Sequence, residues 1–237
     1  MHAQNLNLFI TTEHECGYYD DRQTANLIPD PQIEMSPDLY SILISKGFRR
    51  SGEFVYRPHC QQCSACVPCR INAQSFKPNR NQRRCLKTNN DLTTHIVNAR
   101  ITDEYYALYC RYMNTRHSGS NMSDPSHDDY SSFLLNSWNT SVFIETRKQG
   151  KLLSVAVVDI LNAGPSAVYT FFEPQEKKRS LGTYAILQQI WLAQLYKYPH
   201  VYLGYWIKGH PKMHYKQNFN ALELLQHEQW IKPEFNK

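Results

Sequence analysis

The chain has 237 residues, 41% hydrophobic and 20% charged, with a net charge of +5. That is the make-up of a soluble globular protein, long enough for one large domain or two small ones with a real core. No apolar run approaches the roughly 20 residues of a membrane helix, the best stretch, Leu152 to Leu161, being broken by Ser154 and Asp159. The start, Met1-His-Ala-Gln-Asn-Leu-Asn7, lacks the basic and long apolar regions of a secretory signal. The expected compartment is therefore the cytoplasm, where seven cysteines stay free, bind metal or do redox work rather than form disulfides.

The first hundred residues are loop-rich, with one short helix predicted in the middle. Ser36-Pro37-Asp38 supplies an N-cap, a first-turn proline and a first-turn acid, Leu39, Ile42 and Leu43 keep helical spacing, and Gly47 stands where a C′ glycine belongs. A second helix is predicted from near Thr102, with Tyr105, Leu108, Tyr109, Tyr112 and Met113 on one face. A third starts near Ser126 and carries Tyr130, Phe133, Leu134 and Trp138. The period then changes. Val142 to Arg147, Leu152 to Leu161 and Ala167 to Glu173 read as an antiparallel meander, with turn signals at Gln149-Gly150 and Asn162 to Pro165. A helix capped by Ser180 follows, carrying Leu187, Ile190, Leu192 and Leu195, then a buried strand, Val201 to Trp206, and a basic-aromatic segment from Lys208 to Phe219. Neither an internal repeat nor a low-complexity tract is present.

Two helices, three antiparallel strands, a helix and a strand is an order similar to that of acyltransferases of the GCN5-related N-acetyltransferase type. The chain is expected to be α+β, a small Cys-rich N-terminal domain, residues 1–95, preceding a GCN5-related N-acetyltransferase-like (FemX-like) α/β domain, residues 96–237. The sheet of that domain is expected to be mixed and mostly antiparallel. Order is fold analogy and carries no chemistry by itself.

Charge is segregated along the chain. Phe54 to Asn90 contains no Asp or Glu but seven bases, Arg57, Arg70, Lys77, Arg80, Arg83, Arg84 and Lys87. Lys177 to Leu222 again has no acid and seven bases, Lys177, Lys178, Arg179, Lys197, Lys208, Lys212 and Lys216. The rest is net acidic, so the pattern predicts a positive surface on an acidic body, suited to a polyanion or an acidic ligand; the plainer alternative is two solvated basic faces.

Three motifs carry chemistry. Cys60-Gln-Gln-Cys63-Ser-Ala-Cys66-Val-Pro-Cys69 spaces four thiols by three, which suits zinc or an iron–sulfur cluster, and Cys16 and His59 are candidate distal ligands. Cys85 and Cys110 are expected as small buried hydrophobes. Arg70 and then Phe76-Lys77-Pro-Asn-Arg80-Asn-Gln-Arg83-Arg84 interleave cations, amides and an aromatic ring, which suits phosphate and single-stranded base contacts. Arg179-Ser180-Leu181-Gly182-Thr183-Tyr184 stands where acetyl-CoA enzymes of this fold cradle pyrophosphate with a glycine-rich loop and helix N-terminus. It ends in Tyr184 where a small residue is needed, so the fold is expected without CoA as donor; the plainer alternative makes Tyr184 part of the core.

Taken together, these pieces resemble the aminoacyl-tRNA–protein transferase family, in its compact bacterial branch, over essentially the whole chain. The matching pieces are Cys16-Gly-Tyr, Gly47-Phe-Arg-Arg-Ser-Gly52, Tyr56-Arg-Pro-His-Cys60 with Cys63, Ala65-Cys66-Val-Pro and Arg70, and Asn81-Gln-Arg-Arg84. Towards the carboxyl end they are Ser180-Leu-Gly with Tyr184, Tyr202-Leu-Gly-Tyr-Trp-Ile207, and Pro211-Lys-Met with Tyr215-Lys216. The resemblance implies a metal- or cluster-binding cysteine domain and an acyltransferase-like domain that uses charged tRNA. The implied reaction adds leucine from leucyl-tRNA to proteins starting with Asp or Glu, marking them for degradation by the N-degron route. Tyr19 stands where the arginine-transferring branch resembles a second cysteine, and Cys69 adds to the usual bacterial triplet, so the implied ligand set is drawn from Cys16, Cys60, Cys63, Cys66 and Cys69. Alternatives are an acyl-CoA-dependent N-acetyltransferase and a non-enzymatic cysteine-metal module that binds nucleic acid.

The implied donor is an activated ester and the acceptor an α-amine with a pKa near 7.7–8.0, so positioning and oxyanion stabilisation can replace a strong base. Lys77, Arg80, Arg83 and Arg84, with Lys177, Lys178 and Arg179, are expected on the tRNA path. One or more of Arg70, Lys208, Lys212 and Lys216 is expected to pair with the acceptor's carboxylate. Tyr184 or Tyr215 is expected to donate toward the reacting carbonyl or relay a proton.

Overall fold

The protein is seen here as a computed structural model describing residues 6–116 and 124–235. Residues 1–5, on which the signal-peptide reading partly rests, lie outside the described residues. The chain opens with β1 (Leu8–Ile10), the small hairpin β2 (His14–Glu15) and β3 (Gln23–Thr24), and β4 (Asn26–Pro29). Then comes α1 (Pro37–Ser45), opened as expected by Ser36, whose hydroxyl accepts the Leu39 N–H at 3.3 Å. Gly47 turns the chain out of the helix at φ +86°, and a Cβ there would stand 2.6 Å from Pro68 Cγ, so glycine is required for conformation and for room. The buried face of α1 is Tyr40, Leu43 and Ile44, whereas Ile42 is 62% exposed. Tyr40 sets the stripe at i, i+3 and i+4, and that spacing turns Ile42 outward.

β5 (Arg49–Ser51) and β6 (Phe54–Pro58) complete a four-stranded sheet of order β1–β4–β6–β5. Three elements then occupy stretches for which the sequence suggested only loop: β7 (Val67–Asn72), α2 (Arg80–Thr88) and β8 (Thr93–Asn98). α2 is held by a capping box. The Gln82 N–H donates to Asn79 Oδ1 at 3.0 Å, and the Asn79 N–H donates to Gln82 Oε1 at 2.8 Å.

The expected series follows. It comprises α3 (Asp103–Arg116), α4 (His127–Leu134), β9 (Ser141–Lys148), β10 (Lys151–Leu161), β11 (Gly164–Phe172), α5 (Leu181–Leu195) and β12 (His200–Trp206), before β13 (Leu222–Gln226) and β14 (Gln229–Ile231). One eight-stranded sheet takes the order β14–β13–β7–β12–β11–β10–β9–β8. It is mixed and mostly antiparallel, as expected: β11 and β12 are parallel, joined through α5, the long crossover that parallel neighbours need. β7 lies between β13 and β12, and β8 runs from residue 93 to 98, across the boundary expected between 95 and 96, so the two segments share one sheet.

Strand alternation divides the core. Val155 and Val157 of β10 face the α3 layer, where Tyr105, Leu108, Tyr109, Tyr112 and Met113 are all buried as their spacing implied. Ala156 and Val158 face the other way, against Ala185 and Leu192 of α5. Further along α5, Tyr184, Ile186, Leu187 and Ile190 join a cluster with Ile71 of β7 and Val201 and Leu203 of β12. Full burial of each such side chain contributes about 1.5–3 kcal/mol.

The amino-terminal part is pinned to this sheet by a charge pair. Arg50 Nε and Nη2 donate to the two carboxylate oxygens of Asp159 on β10, each at 2.7 Å, and both side chains are 0% exposed. Ser141 Oγ donates to the same carboxylate at 2.7 Å, and Arg50 Nη1 donates to Gly52 O at 3.3 Å. Removing one partner leaves the other buried and charged. Asp159→Ala is therefore expected to lower unfolding free energy by about 3–5 kcal/mol in a denaturant titration, more than an ordinary truncation of this size.

Candidate active site

β11 and β12 pair at Ser166 opposite Tyr202. Further along β12, Gly204, at φ +73°, lies where the strand shifts register against β7 between Tyr202 and Tyr205. The guanidinium of Arg49, reaching in from β5, spans the two strands. Nη2 donates to Val168 O on β11 at 2.9 Å, while on the β12 side a Cβ at Gly204 would stand 2.3 Å from Nη1. The Tyr205 ring centroid lies 5.8 Å from Arg49 Cζ. Tyr205 in turn donates its hydroxyl toward Gly47 O at 3.2 Å and Tyr56 O at 3.3 Å. Burial pushes the Tyr18 phenol up to about 12, with the nearby Arg49 charge pulling it down.

Lys216 is buried beside this group. Its Nζ donates to Tyr205 O at 2.5 Å and lies 3.7 Å from Met213 Sδ. Burial lowers its pKa to about 8; the Cys69 thiol opposes that shift and the Arg49 charge adds to it. Next to it Tyr215 is 39% exposed overall, but desolvation of its hydroxyl raises that group to about 12. Its electrostatic neighbours include Cys69, Tyr112 and Arg116, which places it between α3 and the end of β12. His210 closes one side: its Nε2 is 3.1 Å from Tyr18 O, and its ring meets Tyr18 and Tyr19 edge-on at 5.6 and 5.7 Å.

The other expected acceptor-binding cations are placed differently. Arg70 is committed to Glu223, with Nε to Oε2 at 2.7 Å, and stacks on Trp230 at 4.3 Å. That pairing takes it away from an incoming carboxylate. Lys208 and Lys212 are exposed on the loop after β12. Tyr184 is 6% exposed and belongs to the core cluster of α5, so the plainer reading of it holds and it is not open to a substrate. The ring against Gly182 is that of Phe172, whose Cε1 would stand 3.3 Å from a Cβ there.

The two basic windows, about a hundred residues apart in sequence, meet in space. Arg80, Arg83, Arg84 and Lys87 are exposed on α2, and Lys77 is exposed just before it. The far end of α2 locks onto the turn before α5. Asn89 Nδ2 donates to Arg179 O at 2.8 Å, and Arg179 Nη1 donates to Thr88 O at 3.1 Å. Lys177 and Lys178, exposed on that turn, thus continue the α2 surface. Arg179 itself is a pin rather than a free cation: it is bidentate to Asp91 at 2.8 and 2.9 Å and bonded to Glu176 at 3.0 Å.

The cysteines separate. Cys69 lies in β7, 1% exposed within the apolar core, where burial raises its thiol. Cys66 just precedes the strand; burial pushes it up to about 12, and Cys16, Cys60 and Cys63 each add to that shift by their charge. Thr24 Oγ1 is 3.3 Å from Cys60 Sγ, and Arg22 Nη1 donates to Cys63 Sγ at 3.2 Å. The Ala65 N–H and then Arg22 hold the Cys63 thiol below its ordinary range, against the opposing effect of burial. Among the described residues, no three His, Cys, Asp or Glu side chains are arranged as a metal site. Cys85 is buried as expected, while Cys110 is only half-buried.

The sequence alone gives no role to Arg49, which lies within the Gly47–Gly52 stretch. Two adjacent arginines in a strand of a loop-rich region were the available signal.

Residues 14–84 match the family model described as arginine-tRNA-protein transferase, N terminus, and residues 104–226 match its C terminus. The chain is 48% identical over 227 residues to a Saccharophagus degradans protein, covering 95% of this chain and 96% of the relative. It is also 48% identical over 225 residues to one from Alcanivorax borkumensis, covering 95% and 93%. The chain belongs to the arginine-tRNA-protein transferase family. Both relatives carry the name aspartate/glutamate leucyltransferase. Solved structures match only loosely. The C-terminal domain (DUF2156) of an Agrobacterium fabrum protein gives a TM-score of 0.47 at 14% identity, over 77% of this chain and 54% of that one. L-PGS from Bacillus licheniformis gives 0.46 at 7%, over 62% and 47%.

Proposed function

We propose that this protein transfers leucine from leucyl-tRNA to the α-amine of proteins whose first residue is Asp or Glu. The observation that carries this is the 48% identity, over 95% of the chain, to relatives named aspartate/glutamate leucyltransferase. A cytoplasmic location and a role in the N-degron route follow from the same reading. Among the described residues no helix is long and apolar enough to cross a membrane.

In the reaction the neutral amine attacks the ester carbonyl, the C–N bond forms, the bond to the tRNA ribose oxygen breaks, and the amine's proton leaves with that oxygen. The β11–α5–β12 unit serves as a FemX-like, GCN5-related acyltransferase core, and the ester enters beside Arg49 where the two strands are spanned. Residues 1–95 supply tRNA contacts and the cysteine site, and 96–237 supply most of the catalytic frame. Coenzyme A has no part. Tyr215 is the tyrosine left to donate toward the carbonyl or relay the proton. Lys216 is the cation of the original four that is enclosed at the site without a carboxylate partner among the described residues. The tRNA path runs over Lys77, Arg80, Arg83 and Arg84 to Lys177 and Lys178, whose continuity rests on the Asn89 and Arg179 contacts.

We also read Cys16, Cys60, Cys63 and Cys66 as holding zinc or an iron–sulfur cluster. Four soft thiolates are a fitting donor set for either. Cys69, in the apolar core, is left out. Bound there, the group would cross-link residues 60–66 to the segment carrying Tyr18, and a cluster would add redox sensitivity.

A transfer assay tests the main reading. Leucine from leucyl-tRNA should appear on Asp- and Glu-starting peptides but not on an Ala-starting one. Transfer of arginine instead, or acetylation dependent on acetyl-CoA, overturns it. Arg83→Glu combined with Arg84→Glu is expected to raise KM for leucyl-tRNA at least about tenfold and to flatten the salt dependence by about two charges. Unchanged values would remove α2 from the tRNA path. Anaerobic metal and acid-labile sulfide analysis should show the group lost in Cys60→Ala, Cys63→Ala and Cys66→Ala but retained in Cys69→Ala.

A further inference from the structure

Four arginines of the described chain that reach into the protein meet carboxylates there: Arg50 meets Asp159, Arg70 meets Glu223, Arg147 meets Glu104 and Glu145, and Arg179 meets Asp91 and Glu176. Arg49 is different. Among the described residues it is hydrogen-bonded to the neutral Val168 carbonyl, and its electrostatic neighbours include Tyr18, Tyr40, Tyr56 and Tyr205. No Asp or Glu is bonded to it among the described residues. Lys216, bonded to the backbone carbonyl of the same Tyr205 whose ring lies by Arg49, likewise has no carboxylate partner among them. Two neighbouring cations withdrawn from water without a counter-ion are unfavourable for the resting fold. An anion supplied by a ligand would remove that cost. Arg49 as a whole residue is half-buried.

We infer that Arg49, acting with Lys216, is the specificity-determining residue that receives the side-chain carboxylate of the acceptor's first residue. The planar fork of Arg49 offers two parallel N–H donors to a carboxylate, a geometry that a neutral amide cannot satisfy with both of its atoms. Its fixed place beside Gly204 sets the carboxylate at the mouth of β11 and β12, so the α-amine of the same residue is presented to the ester. This inference rests on the proposed leucine transfer.

The test uses full-length protein, leucyl-tRNA and matched peptides starting with Glu or its isostere Gln. Wild-type enzyme should prefer the Glu peptide. Arg49→Gln is expected to lower the ratio of kcat/KM for the Glu peptide over the Gln peptide by about 30-fold, with Arg49→Lys in between. Equal loss on both peptides, or an undiminished preference, overturns the inference. Should Arg49→Gln fail to fold, phenylglyoxal labelling of wild-type protein decides instead. The Glu peptide should protect Arg49 from modification and the Gln peptide should not; equal protection by both overturns it. If wild-type protein transfers no leucine to either acidic peptide, the underlying reading fails, and that outcome is distinct from all of these.

Discussion

Two adjacent arginines on one short strand hold the amino-terminal third of this chain against its central sheet, and they do so by opposite means. Arg50 is satisfied within the fold: its guanidinium and the Asp159 carboxylate have no exposed side-chain surface, and the Ser141 hydroxyl donates to the same carboxylate. Such a pair adds little over an apolar contact, but its geometry admits one docking arrangement, because any other leaves charges unmatched in a dry interior. Arg49, on the same strand, donates instead to the neutral Val168 carbonyl and has no carboxylate bonded to it among the described residues.

The position of Arg49 depends in turn on β12. A side chain at Gly204 would overlap the guanidinium, and the backbone there lies in the left-handed region that favours glycine. The strand that carries the register shift therefore makes the room for the charge. Lys216 is tied to the same place through the carbonyl of Tyr205, the residue whose ring lies by Arg49. Anchored side chains of this kind suit a reaction that needs placement more than it needs a strong base.

The basic surface follows a similar logic. Asn89 and Arg179 are not contacts for a polyanion; they are the fastening that brings α2 and the turn before α5 side by side. With Arg179 neutralised by Asp91 and Glu176, the outward charge is that of the exposed lysines and arginines around it.

Much of the frame was legible in the chain. The spacing of Tyr105 to Met113, the meander from β9 to β11 and the Ser36 cap each express a local rule, since periodicity and capping act over a few residues. The Asn79 and Gln82 capping box is equally local, set at the start of the basic α2. β7 could not be read this way: a cysteine-rich approach and Pro68 mask a strand whose pairing partners, β12 and β13, lie more than a hundred residues on. That pairing turned Cys69 into the core and separated it from Cys66, three residues earlier. Composition, family resemblance and charge windows were thus set by the amino-acid order alone. Which cations are neutralised, which cysteines stay together and where Arg49 stands were decided by tertiary structure, because a charge acquires its partner only when distant strands are brought together and water is excluded between them.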